Sequence, residues 1–188
     1  MRLTGGRLAG RPVKAPRGKH IRPTRDQARE SLFNVLAHGL IDDFTPCSVL
    51  DLFAGTGLLG LEALSRGATF ALFVEQDKTA CSLIEENLAR LSLLDSAHVL
   101  RRDASRLRTL PDRIAPTEGF HLVFCDPPWR RNLGYRALSA IHKGGCLSPN
   151  AVCVLEEAAH VALDPPPEFE LIDRRVQGTT QFLLMRPS

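Results

Sequence analysis

Between Ser48 and Leu155, five short apolar runs alternate with stretches patterned as helices, and that alternation restricts the chain to very few folds. The runs are residues 48–53, 70–75, 97–101, 120–125 and 151–155. Each is nearly apolar throughout, rather than at every second residue, which is the pattern of a strand buried on both faces. Strands joined through helices run parallel. Helices are expected over 57–66, closed by Gly67, and over 78–91, where Ala80, Ile84, Leu88 and Leu91 share one face. Two more are expected over 104–110 and near 135–142. Beyond Pro165-Pro166-Pro167, strand candidates 169–177 and 180–185 meet at Gly178, a connection so short that they must be antiparallel. The expected fold is α/β: a doubly wound, mostly parallel seven-stranded sheet with a C-terminal antiparallel hairpin and helices on both faces.

The first 45 residues differ in kind. Residues 1–20 intersperse Gly5, Gly6, Gly10, Gly18, Pro12 and Pro16 with short apolar pieces, which indicates a small β-hairpin or extended arm. Pro23-Thr24 supplies a break and an N-cap, and Ala28, Leu32, Val35 and Leu36 give a helix over 25–38. Residues 1–29 hold nine Arg and Lys against the single acid Asp26, a net +8, whereas the remaining residues hold 15 basic against 20 acidic side chains, a net −5. A basic arm on an acidic body is the pattern of a polyanion binder. The expected organisation is therefore a basic hairpin-and-helix extension over 1–45 and a catalytic domain over 46–188.

Several classes are disfavoured. No apolar run is long enough for a membrane helix, and no apolar stretch follows the basic N-terminus as in a secretory signal. Cys47, Cys81, Cys125, Cys146 and Cys153 are odd in number and widely spaced, as expected of reduced thiols in a cytoplasmic protein. Neither they nor the six histidines form a metal-ligand motif, so no metal is expected.

The turn out of the first strand reads Asp51-Leu52-Phe53-Ala54-Gly55-Thr56-Gly57-Leu58-Leu59-Gly60. Glycines there allow a ligand close to the backbone at a helix N-terminus. Gly55-x-Gly57-x-x-Gly60, with Glu75 twenty residues after Gly55, formally satisfies a dinucleotide fingerprint, so a nicotinamide-dependent oxidoreductase stays open. Asp51 argues otherwise, since a carboxylate beside that turn repels a pyrophosphate but suits an amine. S-adenosylmethionine carries an amine and a sulfonium and no phosphate. Phe53, Ala54, Gly55, Thr56 and Gly57 would form its backbone cradle, Glu75 would accept the ribose hydroxyls, and Asp103 would accept the adenine amine. Three acids at successive strand C-termini lie on the edge where open α/β sheets bind ligands.

The fourth run ends in Asp126-Pro127-Pro128-Trp129. The lone pair of an exocyclic base amine is delocalised into its ring, so the amine is a weak nucleophile. A carboxylate (Asp126) and a backbone carbonyl (Pro127) that accept its two N–H groups favour the pyramidal, reactive geometry. The two prolines stiffen the turn, and Trp129 offers a face on which an unstacked base can lie.

With these motifs in place, the chain resembles the RsmD-type bacterial methyltransferases over nearly its whole length. The resemblance lies in Gly5-Gly6-Arg7, Arg22-Pro23-Thr24, Arg29-Glu30-Ser31-Leu32-Phe33-Asn34, the run from Asp51 to Gly57, Gly60-Leu61-Glu62-Ala63-Leu64-Ser65-Arg66-Gly67, Glu75, Asn87 and Asp126-Pro127-Pro128. Trp129 departs from the Phe or Tyr usual in the family. The resemblance implies a class I, Rossmann-like fold and methyl transfer from S-adenosylmethionine to N2 of a guanine in 16S ribosomal RNA, with S-adenosylhomocysteine as product. It also suggests a monomer acting on an assembled or partly assembled small subunit. Arg2, Arg7, Arg11, Arg22, Thr24, Arg25 and Arg29 are the expected RNA contacts, and residues 1–29 are expected to take no part in cofactor binding. Adenine-N6 methylation of DNA or RNA needs the same two acceptors and stays open, as does a non-catalytic RNA-binding protein.

Overall fold

A computed structural model describes residues 1–16, 26–41, 44–111, 114–129 and 131–188. Its strands are β1 (Ser48–Leu52), β2 (Phe70–Glu75), β3 (Ala97–Arg101), β4 (Phe120–Cys125), β5 (Leu147–Ala158), β6 (Phe169–Gln177) and β7 (Thr180–Pro187). The α-helices are α1 (Asp26–Gly39), α2 (Leu58–Ser65), α3 (Lys78–Leu91) and α4 (Leu133–Lys143). One seven-stranded sheet has the order β3-β2-β1-β4-β5-β7-β6. Strands β1 to β5 pair in parallel, and β7 pairs antiparallel with both β5 and β6. The order reverses between β1 and β4, which opens a crevice at their C-terminal ends.

The unbroken apolar runs are explained by two cores, one on each face. Val49, Ala71, Phe73, Leu122, Phe124, Val152 and Val154 pack into the layer completed by α1, α2 and α3. Their neighbours Leu50, Leu72, Val74, Val123, Cys125 and Leu155 pack into the layer completed by α4. Alternate side chains point to opposite faces of a strand, and here both faces are covered.

The N-terminal residues form a small hairpin around a 3₁₀ turn at Gly6–Leu8, with Leu3 N donating to Arg11 O (3.1 Å) and Val13 N to Met1 O (3.0 Å). Leu3 and Val13 enter the same core as α1, so residues 1–16 and α1 pack as part of the α/β body. Two buried polar side chains pin the hairpin down. Glu62 of α2 accepts from Thr4 N (2.9 Å), Thr4 Oγ1 (2.8 Å) and Gly5 N (2.8 Å). Asn87 of α3 accepts from Lys14 N (2.9 Å) and donates to Lys14 O (3.1 Å). Gly6 lies so close to the end of α2 that a Cβ there would collide with the Ser65 carbonyl.

Two elements differ from expectation. The helix expected over 104–110 is a single 3₁₀ turn, Ala104–Arg106, after which Leu107 is extended (φ −76°, ψ 99°) and buries in the α4 layer. Strand β5 begins at Leu147, four residues before the apolar run, because Leu147 pairs with Phe120 across a register shift whose extra residues lie in β5. The polar Ser148-Pro149-Asn150 hides that extension in the sequence.

Candidate active site

At the β1/β4 crevice lies a cleft of about 210 Å³ lined by Asp51, Phe53, Gly55, Thr56, Asp126 and Glu156, among others. A larger concavity, about 810 Å³ between α1 and β6, lies away from the strand ends and their acids. The smaller cleft brings together Asp51, Asp126 and the glycine turn.

The β1 turn is shaped by three residues with positive φ: Phe53 (57°), Gly55 (56°) and Gly57 (75°). A bulky residue such as Phe53 rarely adopts this backbone and does so at a cost of about 1–3 kcal/mol, typical of functional turns. Gly57 N donates to Ala54 O (2.7 Å), which closes the turn onto the start of α2. A Cβ on Gly55 would meet only Phe53 O, at 3.8 Å, and so would project into open space. A Cβ on Gly60, in contrast, would collide with the Phe73 ring. Gly60 thereby allows α2 to sit directly against the sheet.

Asp51 is 2% exposed, and its Oδ2 accepts from Gly60 N (2.9 Å). Burial pushes its carboxyl up to about 8; the Gly60 N–H opposes that shift, and the charges of Asp126 and Glu75 add to it. Asp126 follows β4, its N–H reaching Leu52 O (3.4 Å), which brings the motif beside the β1 turn. Pro127 is buried, Pro128 exposed and Trp129 half-buried. A Cβ on Gly134 would collide with Leu155 and stand 3.1 Å from Pro127 Cγ, so this glycine lets the first turn of α4 close over the motif.

Not all expected cofactor residues line the cleft. Glu75 braces the turn: Oε2 accepts from Gly55 N (2.9 Å), and Oε1 accepts from Gln76 N (2.7 Å) and Asp77 N (2.8 Å). Asp103 caps the Ala104–Arg106 turn, accepting from Ser105 N (2.9 Å) and Ser105 Oγ (2.7 Å), at the end of edge strand β3. Neither is among the described residues lining the cleft. The sequence reading missed Glu156, 4% exposed at the end of β5. Its signal was available: the fifth apolar run ends in acids just as the fourth does.

The expected RNA contacts divide. Arg2, Arg7 and Arg11 are exposed. Arg22, Thr24 and Arg25 lie outside the described residues. Arg29 contradicts its assignment as a phosphate contact, because its side chain is 1% exposed and locked in an ion-pair network. Arg29 Nε donates to Glu62 Oε2 (3.2 Å), and Nη2 donates to Asp26 Oδ1 (3.0 Å) and Arg2 O. Arg29 also lines the cleft, as does Met1, so the N-terminal segment reaches the cleft wall. Among the described residues, Arg29 Nη1 has no hydrogen-bond acceptor.

All five cysteines are buried and unpaired, and burial pushes the thiols up, Cys47 to about 12. Among the described residues, no group of three or more His, Cys, Asp or Glu side chains is placed to hold a metal ion, and no helix is long and apolar enough to cross a membrane.

Comparison with known proteins follows the same lines. The family model for conserved hypothetical protein 95 matches residues 1–186. Ribosomal RNA small subunit methyltransferase D of Escherichia coli K12 is 34% identical over 185 residues, covering 98% of this chain and 88% of that protein. The protein of the same name from Haemophilus influenzae is 31% identical over 185 residues, 98% of this chain and 92% of its own. The solved structure of yhhF from Escherichia coli superposes with a TM-score of 0.81 at 33% identity, covering 100% of this chain and 98% of that one. A hypothetical protein from Thermus thermophilus superposes at 0.76 with 30% identity, over 98% of both chains.

Proposed function

The chain belongs to the conserved hypothetical protein 95 family, the family of the RsmD-type methyltransferases, and from that premise we propose that it transfers a methyl group from S-adenosylmethionine to the exocyclic N2 amine of a guanine in small-subunit ribosomal RNA. One observation carries the reading: Asp126 of the Asp-Pro-Pro-Trp turn stands in the same cleft as Asp51 and the glycine turn, at the crevice where the sheet order reverses.

The residues present fit S-adenosylmethionine. The open space over Gly55 admits a ligand against the backbone. Asp51 is a buried carboxyl whose ionisation an ammonium would favour. Acids on the cleft wall are unsuited to a pyrophosphate. When bound, the cofactor supplies a methyl group already activated on a sulfonium, so the protein's task is mainly positioning, worth on the order of 7–11 kcal/mol.

Asp126 and the carbonyl of Pro127 accept the two N–H groups of the target amine and aim its lone pair. Trp129 stacks on the extruded base, and Asp51 holds the ammonium end of the cofactor. Glu75, through Gly55, keeps the turn in shape and faces the ribose hydroxyls, and Asp103 receives the adenine amine. Arg2, Arg7 and Arg11, with Arg22, Thr24 and Arg25, meet RNA phosphates. The substrate is the small subunit, assembled or in assembly, and the enzyme acts as a cytoplasmic monomer.

Titration calorimetry tests the cofactor assignment. Wild-type protein is expected to bind S-adenosylhomocysteine and not NAD, and Gly55→Val to lose that binding, since its side chain would fill the open space. Preference for NAD, or equal binding by Gly55→Val, would overturn the assignment.

A further inference from the structure

Arg29 is a fully buried guanidinium with one donor group unmet. Nε and Nη2 are engaged by Glu62, Asp26 and Arg2 O, whereas Nη1 has no acceptor among the described residues. Buried donors in folded proteins are nearly always satisfied, and an unmatched one on a side chain that lines a cleft points to a ligand atom there. Arg29 is moreover the one basic side chain among the described residues lining the cleft, where it faces the company of Asp51, Asp126 and Glu156. Of its two counter-charges, the buried Glu62 is shared with Arg66 (3.0 Å), and Asp26 (3.0 Å) is exposed to solvent.

We propose that Arg29 binds the α-carboxylate of the cofactor's methionine moiety through Nη1. This rests on the cofactor reading above. S-adenosylmethionine bears two cationic groups and a single anion. The acids of the cleft suit the cations and repel the carboxylate, which leaves Arg29 as its partner. A guanidinium already held by Glu62, Asp26 and the Arg2 carbonyl is fixed in place, so Nη1 needs only a small shift of the covering wall to donate a charge-assisted hydrogen bond to a carboxylate oxygen. The hairpin that carries exposed Arg2, Arg7 and Arg11 thus also positions the cofactor's anchor. A residue that reads as an RNA contact in the sequence becomes a cofactor contact in the fold.

The test varies the ligand as well as the protein. Calorimetry is run with S-adenosylhomocysteine and with its decarboxylated analogue, on wild type, Arg29→Lys and Arg29→Gln. Lys keeps a cation beside Glu62, and thermal melts confirm that each variant is folded. The wild type is expected to prefer S-adenosylhomocysteine by about 10- to 100-fold, the range for a charge-assisted hydrogen bond. Both variants should lose most of that preference by weaker binding of S-adenosylhomocysteine, with the decarboxylated analogue little affected. Wild-type binding of both ligands with equal affinity would overturn the Arg29 assignment alone, as would variants that keep the full preference. Wild-type binding of neither would overturn the cofactor reading and the Arg29 assignment with it.

Discussion

Asp51 is the residue at which the site's electrostatics and the fold's stability meet. Its carboxyl is buried against Gly60 N and held near 8, far above its ordinary 3.8, chiefly by burial. A carboxyl raised in the folded state stabilises the fold in its protonated form. That contribution is complete below about pH 3.8 and is lost as pH rises through about 8. Asp51→Asn keeps an oxygen for Gly60 N and cannot ionise, so the variant should gain stability relative to wild type across that window and hold the gain above it. Urea unfolding of both proteins over the same pH range measures this; parallel profiles would show that Asp51 is already ionised at neutral pH. A ligand ammonium beside Asp51 would favour the ionised carboxylate, so a residue that costs stability at neutral pH is suited to binding a cation.

At the scale of elements, the joint between the N-terminal hairpin and α2 holds the site's edge in place. Glu62 is fully buried and takes hydrogen bonds from Thr4, Gly5, Arg29 and Arg66. Glu62→Gln would leave two guanidiniums facing a neutral amide, and breaking a buried pair this way typically costs about 3–5 kcal/mol. Urea unfolding should register that loss, with faster amide exchange at Leu3 and Val13. A loss under about 1 kcal/mol, the size seen for solvated pairs, would contradict the role of this joint. The sheet was largely legible beforehand: β2 and β4 fall where their apolar runs do, because strands covered on both faces leave little room for polar side chains, and edge strand β3 falls on its run although His98 and Arg101 are exposed. The start of β5 was hidden by Ser148-Pro149-Asn150. Arg29 was misread for a different reason. It falls with Leu32, Phe33 and Leu36 on the i, i+3, i+4, i+7 face of α1, yet a charge on that face reads as solvent-exposed until a buried partner is known. That partner, Glu62, comes from a helix more than thirty residues away, and no local pattern links the two. That Asp51 and Asp126 would meet at one edge of the sheet was legible because acids ending apolar strands stand out; Glu156, on the same cleft, carries the same mark.

Across the whole molecule, charge and catalysis are arranged on opposite terms: the hairpin offers exposed arginines and the cleft offers acids. Because Leu3 and Val13 belong to the core, truncating the arm would unfold part of the body, and neutralising Arg2, Arg7 and Arg11 to Gln is the cleaner probe. Each phosphate contact with single-stranded RNA contributes about 0.7 to the log–log salt slope. The triple variant should therefore bind RNA more weakly, with a slope shallower by up to about 2. An unchanged slope would mean that these arginines do not meet phosphate. Methyl transfer itself is the central claim. Small subunits and free small-subunit RNA lacking the modification are incubated with methyl-labelled S-adenosylmethionine and either wild-type protein or Asp126→Ala, then digested to nucleosides. The account predicts labelled N2-methylguanosine with wild type and a rate lower by about 10²–10³ with Asp126→Ala. N6-methyladenosine as the sole labelled product, or an undiminished rate for the variant, would contradict it.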